Sequence, residues 1–158
     1  MGRSHAWVLR GTERVEARPR NWGDNLTLIG AMRAERWVTM STFWHGTTSE
    51  RFLTWLGERL VPKLRPGDVV VLDNLAAHKD ERVLEAVRAV GATVQYLPPY
   101  GHDLNPIEAA WGLIKKRIRA AAPRTGHALR RVAQHASRAV RPRHCRNWFA
   151  HAGYRQLN

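Results

Sequence analysis

The sequence predicts an α/β domain, a mixed sheet flanked by helices. Three observations carry this. Short apolar runs of strand length alternate with segments whose apolar residues recur at helical spacing. One run, Val69–Leu72 (VVVL), is apolar throughout, as in a strand covered by helices on both faces. The chain is 158 residues long with 44% hydrophobic and 25% charged residues, which fits one globular domain and excludes wholesale disorder or a fibrous repeat.

The elements follow in order. Leu26–Met32 (LTLIGAM) reads as a buried strand, and residues 37–43 (WVTMSTF) as its hairpin partner across a turn at residues 33–36. Thr47 with Glu50 three residues on resembles a capping box. Phe52, Leu53, Leu56 and Leu60 then continue at helical spacing until Pro62. RPGD at residues 65–68 is a turn into VVVL. Residues 80–90 form a helix with Val83, Leu84, Val87 and Val90 on one side and Gly91 at its stop. Residues 93–97 are a further strand, closed by Pro98 and Pro99. A helix starts near Pro106 and runs to about Ala121, another fits residues 126–140, and a short one fits residues 143–151. Residues 1–25 are polar and arginine-rich, with a short apolar stretch at residues 7–9.

Charge narrows the function. Lys and Arg total 26 against 13 acidic residues, a net charge of +13, which calls for a polyanionic partner, most simply nucleic acid. The excess is localised: residues 109–158 hold 12 basic residues and no Asp or Glu. A solvated surface normally interleaves both signs. Arginine supplies 22 of the 26, which suits phosphate forks and also a GC-rich genome. The single Cys145 excludes an intrachain disulfide and a cysteine-rich zinc site, and fits a reducing cytosol. No apolar run is long enough to span a membrane, and MGRSHAWVLRG has no apolar signal region.

Two carboxylates stand out. Asp73 directly follows VVVL, at the carboxyl end of a strand, where open α/β sheets gather their ligands. It equally suits a turn, with Asp73-Asn74 stopping the strand. Glu108 lies in DLNPIE, with Asn105 placed as N-cap, Pro106 as first helical residue and Glu108 at N3, where a capping box also wants a glutamate. Ile107, Trp111, Ile114 and Ile118 form the apolar stripe of that helix and put Glu108 at its margin. Gly112 leaves space on the Glu108 side, and Lys115 and Arg119 continue that side as a basic track. Two acids meeting at one crevice repel unless a divalent cation joins them, and hard oxygen ligands suit Mg²⁺ or Mn²⁺. Beside a basic surface, the matching chemistry is two-metal phosphoryl transfer on a nucleic-acid backbone. His78 and Lys79 sit where either could approach a phosphate, although a surface histidine explains His78 as well. The other histidines have no metal-ligand spacing, and Trp111 belongs to the core.

VVVLDNLAAHK followed by YLPPYGHDLNPIEAAWGLIKKRIR resembles the DDE transposases of the IS630/Tc1/mariner superfamily. Asp73 and Glu108 are separated by 34 residues, a spacing found between the second and third acids of many members. The resemblance extends more weakly over NLTLIGAM and NWFAHAGY. It implies an RNase H-like fold that cuts and joins DNA with Mg²⁺ (or Mn²⁺), with Asp73 and Glu108 as catalytic metal ligands and Asn74, His78 and Asn105 supporting them. Lys115, Lys116, Arg119, Arg130 and Arg131 are the expected contacts to DNA phosphates. One local departure is Gly101-His102, where the family usually has Ser-Pro; that changes a loop and little else.

The larger departure concerns the first acid. The family carries it on a first, central strand before the region matching SHAWVLRGTERV. Asp24 is the sole acid that could be proposed in its place, and it aligns with a polar turn position. The resemblance thus implies a partial catalytic domain, with sheet and active-site helix at residues 1–122 and basic helices at 123–158, and without the N-terminal helix-turn-helix region. The expected sheet lacks its central strand and splits into a hairpin and a separate strand pair, with residues 7–9 too short to fill the gap. Such a chain alone is expected to show no strand cleavage and to self-associate through unpaired edges. The implied partners are double-stranded DNA (transposon ends and target) and a second copy or an upstream transposase half, with no membrane, in the bacterial cytoplasm at the nucleoid. A non-catalytic basic DNA-binding remnant and an RNase H-like nuclease are the alternatives. The DNA upstream of Met1 discriminates: a stretch encoding a strand with an Asp restores the transposase, and a stop-riddled one favours the remnant.

Overall fold

The computed structural model describes residues 25–154. Two two-stranded ladders lie among helices. β1 (Leu26–Met32) and β2 (Trp37–Trp44) pair antiparallel, with the turn closed by reciprocal backbone hydrogen bonds between Arg33 and Arg36. β3 (Val69–Leu72) and β4 (Thr93–Tyr96) pair parallel, joined through α2 (Glu81–Arg88). Among the described residues the hairpin and the parallel pair are separate ladders. The apolar stretch at residues 7–9 and Asp24, and with them the expected gap in the sheet, lie outside the described residues.

The first helix differs from the expectation. Thr48, not Thr47, is its N-cap and accepts from the Arg51 backbone N–H. Helix α1 (Ser49–Trp55) then loosens into a π-helical turn at Leu56–Leu60 and tightens into a 3₁₀ turn at Val61–Lys63. The changes of pitch keep Phe52, Trp55, Leu56 and Leu60 all buried on one side while Pro62 ends the ladder of i→i−4 bonds. Asp80 caps α2 through the Arg82 N–H, and Gly91 takes the positive φ of +75° that stops the chain before β4. Helix α3 (Pro106–Ala121) begins and ends as its sequence predicts, with Ala122 at φ +43° past its end. Helices α4 (Gly126–Ser137) and α5 (Pro142–His151) follow.

Strand alternation divides the core into two. Ile29 and Ala31 of β1 face a cluster with Phe52, Trp55, Leu56, Val70, Val83 and Val87. Leu26, Leu28 and Met32 face the other way, onto a cluster built by Ala110, Ile114, Ile118, Ala133, Ala136 and Cys145. Helices therefore cover both faces of the hairpin. Gly30 lets α3 close on it: a Cβ there would stand 2.8 Å from the Trp111 ring, which meets Trp37 edge-on at 5.6 Å. Val69 departs from the expectation of a strand covered on both faces. It is 60% exposed, and only Val70 in that run is buried.

The two ladders leave a slot between them. One cavity of about 310 Å³ is lined by residues 28–33 along β1 and residues 68–73 along β3. The β1 and β3 edges toward this slot pair with no strand among the described residues. At one end an ion pair clamps the slot: Arg33 reaches both carboxylate oxygens of Asp68, Nη1 to Oδ1 at 2.6 Å and Nη2 to Oδ2 at 2.5 Å. The guanidinium also donates to the Lys63 carbonyl, and the Arg65 N–H donates to Asp68 Oδ2. Hydrogen bonding to Arg33 outweighs burial and holds the Asp68 carboxyl down at about 2. A carboxyl depressed in the folded state contributes stability above its unfolded value and loses it as pH falls through its folded value. We expect Asp68→Asn to cost about 1–2 kcal/mol at neutral pH, discounted for partial solvent exposure. The difference from wild type should shrink between about pH 5 and pH 2. Urea unfolding of both proteins across that range measures it; a constant difference would refute the clamp.

Candidate active site

Asp73 leaves the carboxyl end of β3 and enters the cavity, and Glu108 enters it from the first turn of α3; Asn105 and His78 line it too. The structure thus brings together four of the residues singled out above. Asn74 stands beside them and acts through the backbone: its Nδ2 donates to the Leu97 carbonyl at 2.6 Å, tying the Asp73 loop to the end of β4.

Asp73 does two jobs at once. Its Oδ1 accepts from the Leu75 N–H at 3.0 Å, the turn-forming role its sequence allows. The same oxygen lies 2.7 Å from His78 Nδ1, while Oδ2 takes part in neither contact. The contact is short, but the buried His78 Nδ1 lacks the alignment of a good hydrogen bond. The His78 ring beside Asp73 is the main cause holding that carboxyl below its ordinary range; burial opposes it, and the Leu75 N–H and the charge of His102 assist. Asp73 is therefore an ionised carboxylate at neutral pH, with its side chain 42% exposed at the cavity.

His78 is not the surface histidine that its sequence context also allowed. Its side chain is 15% exposed, and its ring packs against Phe52 with centroids 4.3 Å apart. Its carbonyl accepts from the Tyr96 hydroxyl at 2.7 Å, so α1 and β4 both hold the segment after Asp73.

The capping box read for Glu108 is not formed. Asn105 is the N-cap by position, but its side chain makes no cap hydrogen bond. Glu108 is exposed at the cavity and has no hydrogen-bond or ion-pair partner among the described residues.

The basic residues separate. Lys115, Lys116 and Arg119 are exposed on α3, and Arg131 is exposed on α4. Arg130 is partly engaged, since its Nε donates at 3.0 Å to Thr42 of β2, which is 4% exposed. That bond pins α4 to the hairpin.

His102 is the residue that sequence reading undervalued. It lies in the 3₁₀ turn His102–Leu104, near enough to Asp73 to be one of the lesser causes of its lowered pKa. The departure Gly101-His102 was the only signal for it. Among the described residues no group of three or more His, Cys, Asp or Glu side chains could hold a metal ion.

An α/β fold that carries two acids from a strand end and a helix start into one cavity, beside a surface rich in arginine, has the form of a nucleic-acid-processing domain. The family model of the DDE superfamily endonucleases matches residues 1–130, and the chain belongs to that family. Among solved structures, the chain is similar to one in the crystal structure of the Mos1 strand transfer complex, with a TM-score of 0.56 and 17% sequence identity over 99% of this chain and 51% of that one. The chain thus spans about half the length of that relative. The likeness supports an RNase H-like fold, and the family match bears out the DDE resemblance drawn from DN, PPY and DLNPIE. No curated relative matches the chain. Among the described residues no helix is long and apolar enough to cross a membrane.

Proposed function

We propose that this chain is part of the catalytic domain of a DNA transposase, acting on the phosphodiester backbone of double-stranded DNA with Mg²⁺ or Mn²⁺ and needing the family's first acid for full activity. The observation that carries the reading is the delivery of Asp73 and Glu108 into one cavity by two different elements. Their chemistry fits a hard divalent cation: Asp73 is ionised and keeps one oxygen clear of His78 and Leu75, and Glu108 is unpartnered among the described residues. When bound, such a cation would activate an attacking oxygen and stabilise the leaving one.

The chain's own residues do the rest. His78 and the Leu75 N–H fix the Asp73 carboxylate, and Asn74 fixes the loop that carries it. Lys115, Lys116 and Arg119 would take DNA phosphates next to the site, with Arg131 on the neighbouring helix. The division into residues 1–122 and the basic helices of 123–158 belongs to this reading, as does a nucleoid location. A non-catalytic DNA-binding role uses the same basic surface but leaves the Asp73–His78 contact and the unpartnered Glu108 without a purpose.

Binding through several phosphates weakens by about 0.9 log units per log unit of salt for each phosphate neutralised. Replacing Lys115, Lys116 and Arg119 together with Ala should lower the slope of log K against log salt by about 2–3 on a duplex of unrelated sequence. Fluorescence anisotropy at several salt concentrations reads this directly. An unchanged slope would move the DNA surface to another face.

A further inference from the structure

Among the described residues four large apolar side chains are exposed: Val69, Leu75, Tyr100 and Leu104. Three of them, Leu75, Tyr100 and Leu104, lie on the loops that follow β3 and β4 and lead to Asp73 and Glu108. Val69 and Leu75 line the same cavity as Asp73 and Glu108, and Leu75 also supplies the N–H that orients Asp73. Leu104 precedes Asn105, the N-cap of the helix that carries Glu108. Tyr100, 97% exposed, stands on the loop between β4 and α3.

The backbone at Tyr100 is costly to hold. The Gly101 N–H donates to the Pro98 carbonyl at 3.0 Å, closing a four-residue turn with Pro99 at its second position and Tyr100 at its third. Tyr100 has φ +63°, where a type II turn calls for glycine. The glycine next to it does not use its freedom and sits at φ −79°. A left-handed tyrosine with an exposed side chain is strained, and strain of this kind concentrates at functional sites. The loop is anchored at both ends beside the carboxylates: Leu97 accepts from Asn74, and Asn105 lines the cavity. Three residues from Leu97, the Tyr100 Cα lies at most roughly 10 Å from it.

Phosphates and sugars offer no extended apolar face to an aromatic ring or to leucine side chains. The faces of nucleobases do, and only when the bases leave the helical stack. Resting on the reading of this domain as DNA-acting, we propose that Tyr100 stacks on an unpaired base beside the scissile phosphodiester, with Leu75 and Leu104 flanking it. The substrate class is then DNA whose nucleotides next to the cleavage point are unstacked, and Tyr100 is a residue that selects it.

The test compares the 158-residue chain and its variants on two DNAs, a blunt duplex and the same duplex with a short unpaired tail carrying 2-aminopurine. Stacking contributes about 1–3 kcal/mol per base, so the wild-type chain should prefer the tailed DNA by roughly 5- to 100-fold. The 2-aminopurine fluorescence should be quenched on binding. Tyr100→Phe should keep the preference. Tyr100→Gly should abolish it and leave blunt-duplex affinity unchanged, while its melting temperature stays level or rises because the strain is gone. Preference retained in Tyr100→Gly, or absent in wild type with duplex binding intact, overturns the proposal and leaves the DNA-acting reading standing. Equal loss on both DNAs, or a drop in melting temperature, assigns Tyr100 a structural role and overturns it too. No DNA binding by wild type overturns both readings.

Discussion

Asp73→Asn and Glu108→Gln will each weaken Mn²⁺ binding at least tenfold and, wherever the chain works together with the family's first acid, lower metal-dependent strand cleavage by about a thousandfold or more, the scale set by removing a group that acts only in the transition state of a metal-centred site. The substitutions are near-isosteric, so folding is little affected. Asp73→Asn keeps an acceptor for the Leu75 N–H, and Glu108 makes no hydrogen bond or ion pair among the described residues. Only the charge is lost. The double variant should be no worse than the poorer single, because two ligands of one centre act as a unit. Nicking of supercoiled plasmid in Mg²⁺ and in Mn²⁺ gives the rates. Where turnover is too slow to score, Mn²⁺ titration followed by water-proton relaxation gives the affinity, which should fall at least tenfold in each variant. A change of less than tenfold in both measurements would remove Asp73 and Glu108 from the chemistry. His78→Ala offers a contrast. It removes the ring that holds Asp73 and its packing on Phe52, so it should cost stability as well as rate.

What was legible in the sequence is what is local. A strand that ends in Asp-Asn, a proline at N1 and an apolar stripe on α3 are written within a few residues of each other, and the elements they predict stand where expected. The motif spacing favours a catalytic reading of Asp73 and Glu108, where periodicity alone left each with a purely structural explanation. What was not legible joins residues far apart. The Arg33–Asp68 clamp spans 35 positions, and the Asn74–Leu97 bond spans 23. Neither leaves a periodic trace. His78 shows the same limit: its environment is made by Phe52 and Tyr96, from other elements. VVVL announced a strand, yet could not say what covers it, and the exposure of Val69 follows from its place along the slot rather than from its hydrophobicity. The π-helical turn at Leu56–Leu60 has no breaker or cap in its sequence; it answers to the demand that Trp55, Leu56 and Leu60 stay in one core.

Ile114→Ala will destabilise the domain by about 2–4 kcal/mol. Ile114 has no solvent exposure and sits in the cluster that joins α3 to α4, α5 and the hairpin. Three methyl-sized groups vanish from a close-packed site. The loss combines the transfer free energy of the buried atoms with the cavity left between Ala110, Ala133 and Cys145, which are too small to fill it. Against a total stability of about 5–15 kcal/mol for a typical domain, that is a large fraction. The melting temperature should fall by roughly 5–12 °C. The effect should reach the site, because Glu108 projects from the same helix and the α3 packing surface sets its position. Urea unfolding should show a lower midpoint with an unchanged slope, the sign of lost stability rather than an altered unfolded state. Lys115→Ala, one residue on and exposed, should stay within about 0.5 kcal/mol of wild type. Equal effects at the two positions would mean that α3 does not seat on this core through Ile114, and the helix placement that brings Glu108 to Asp73 would lose its support.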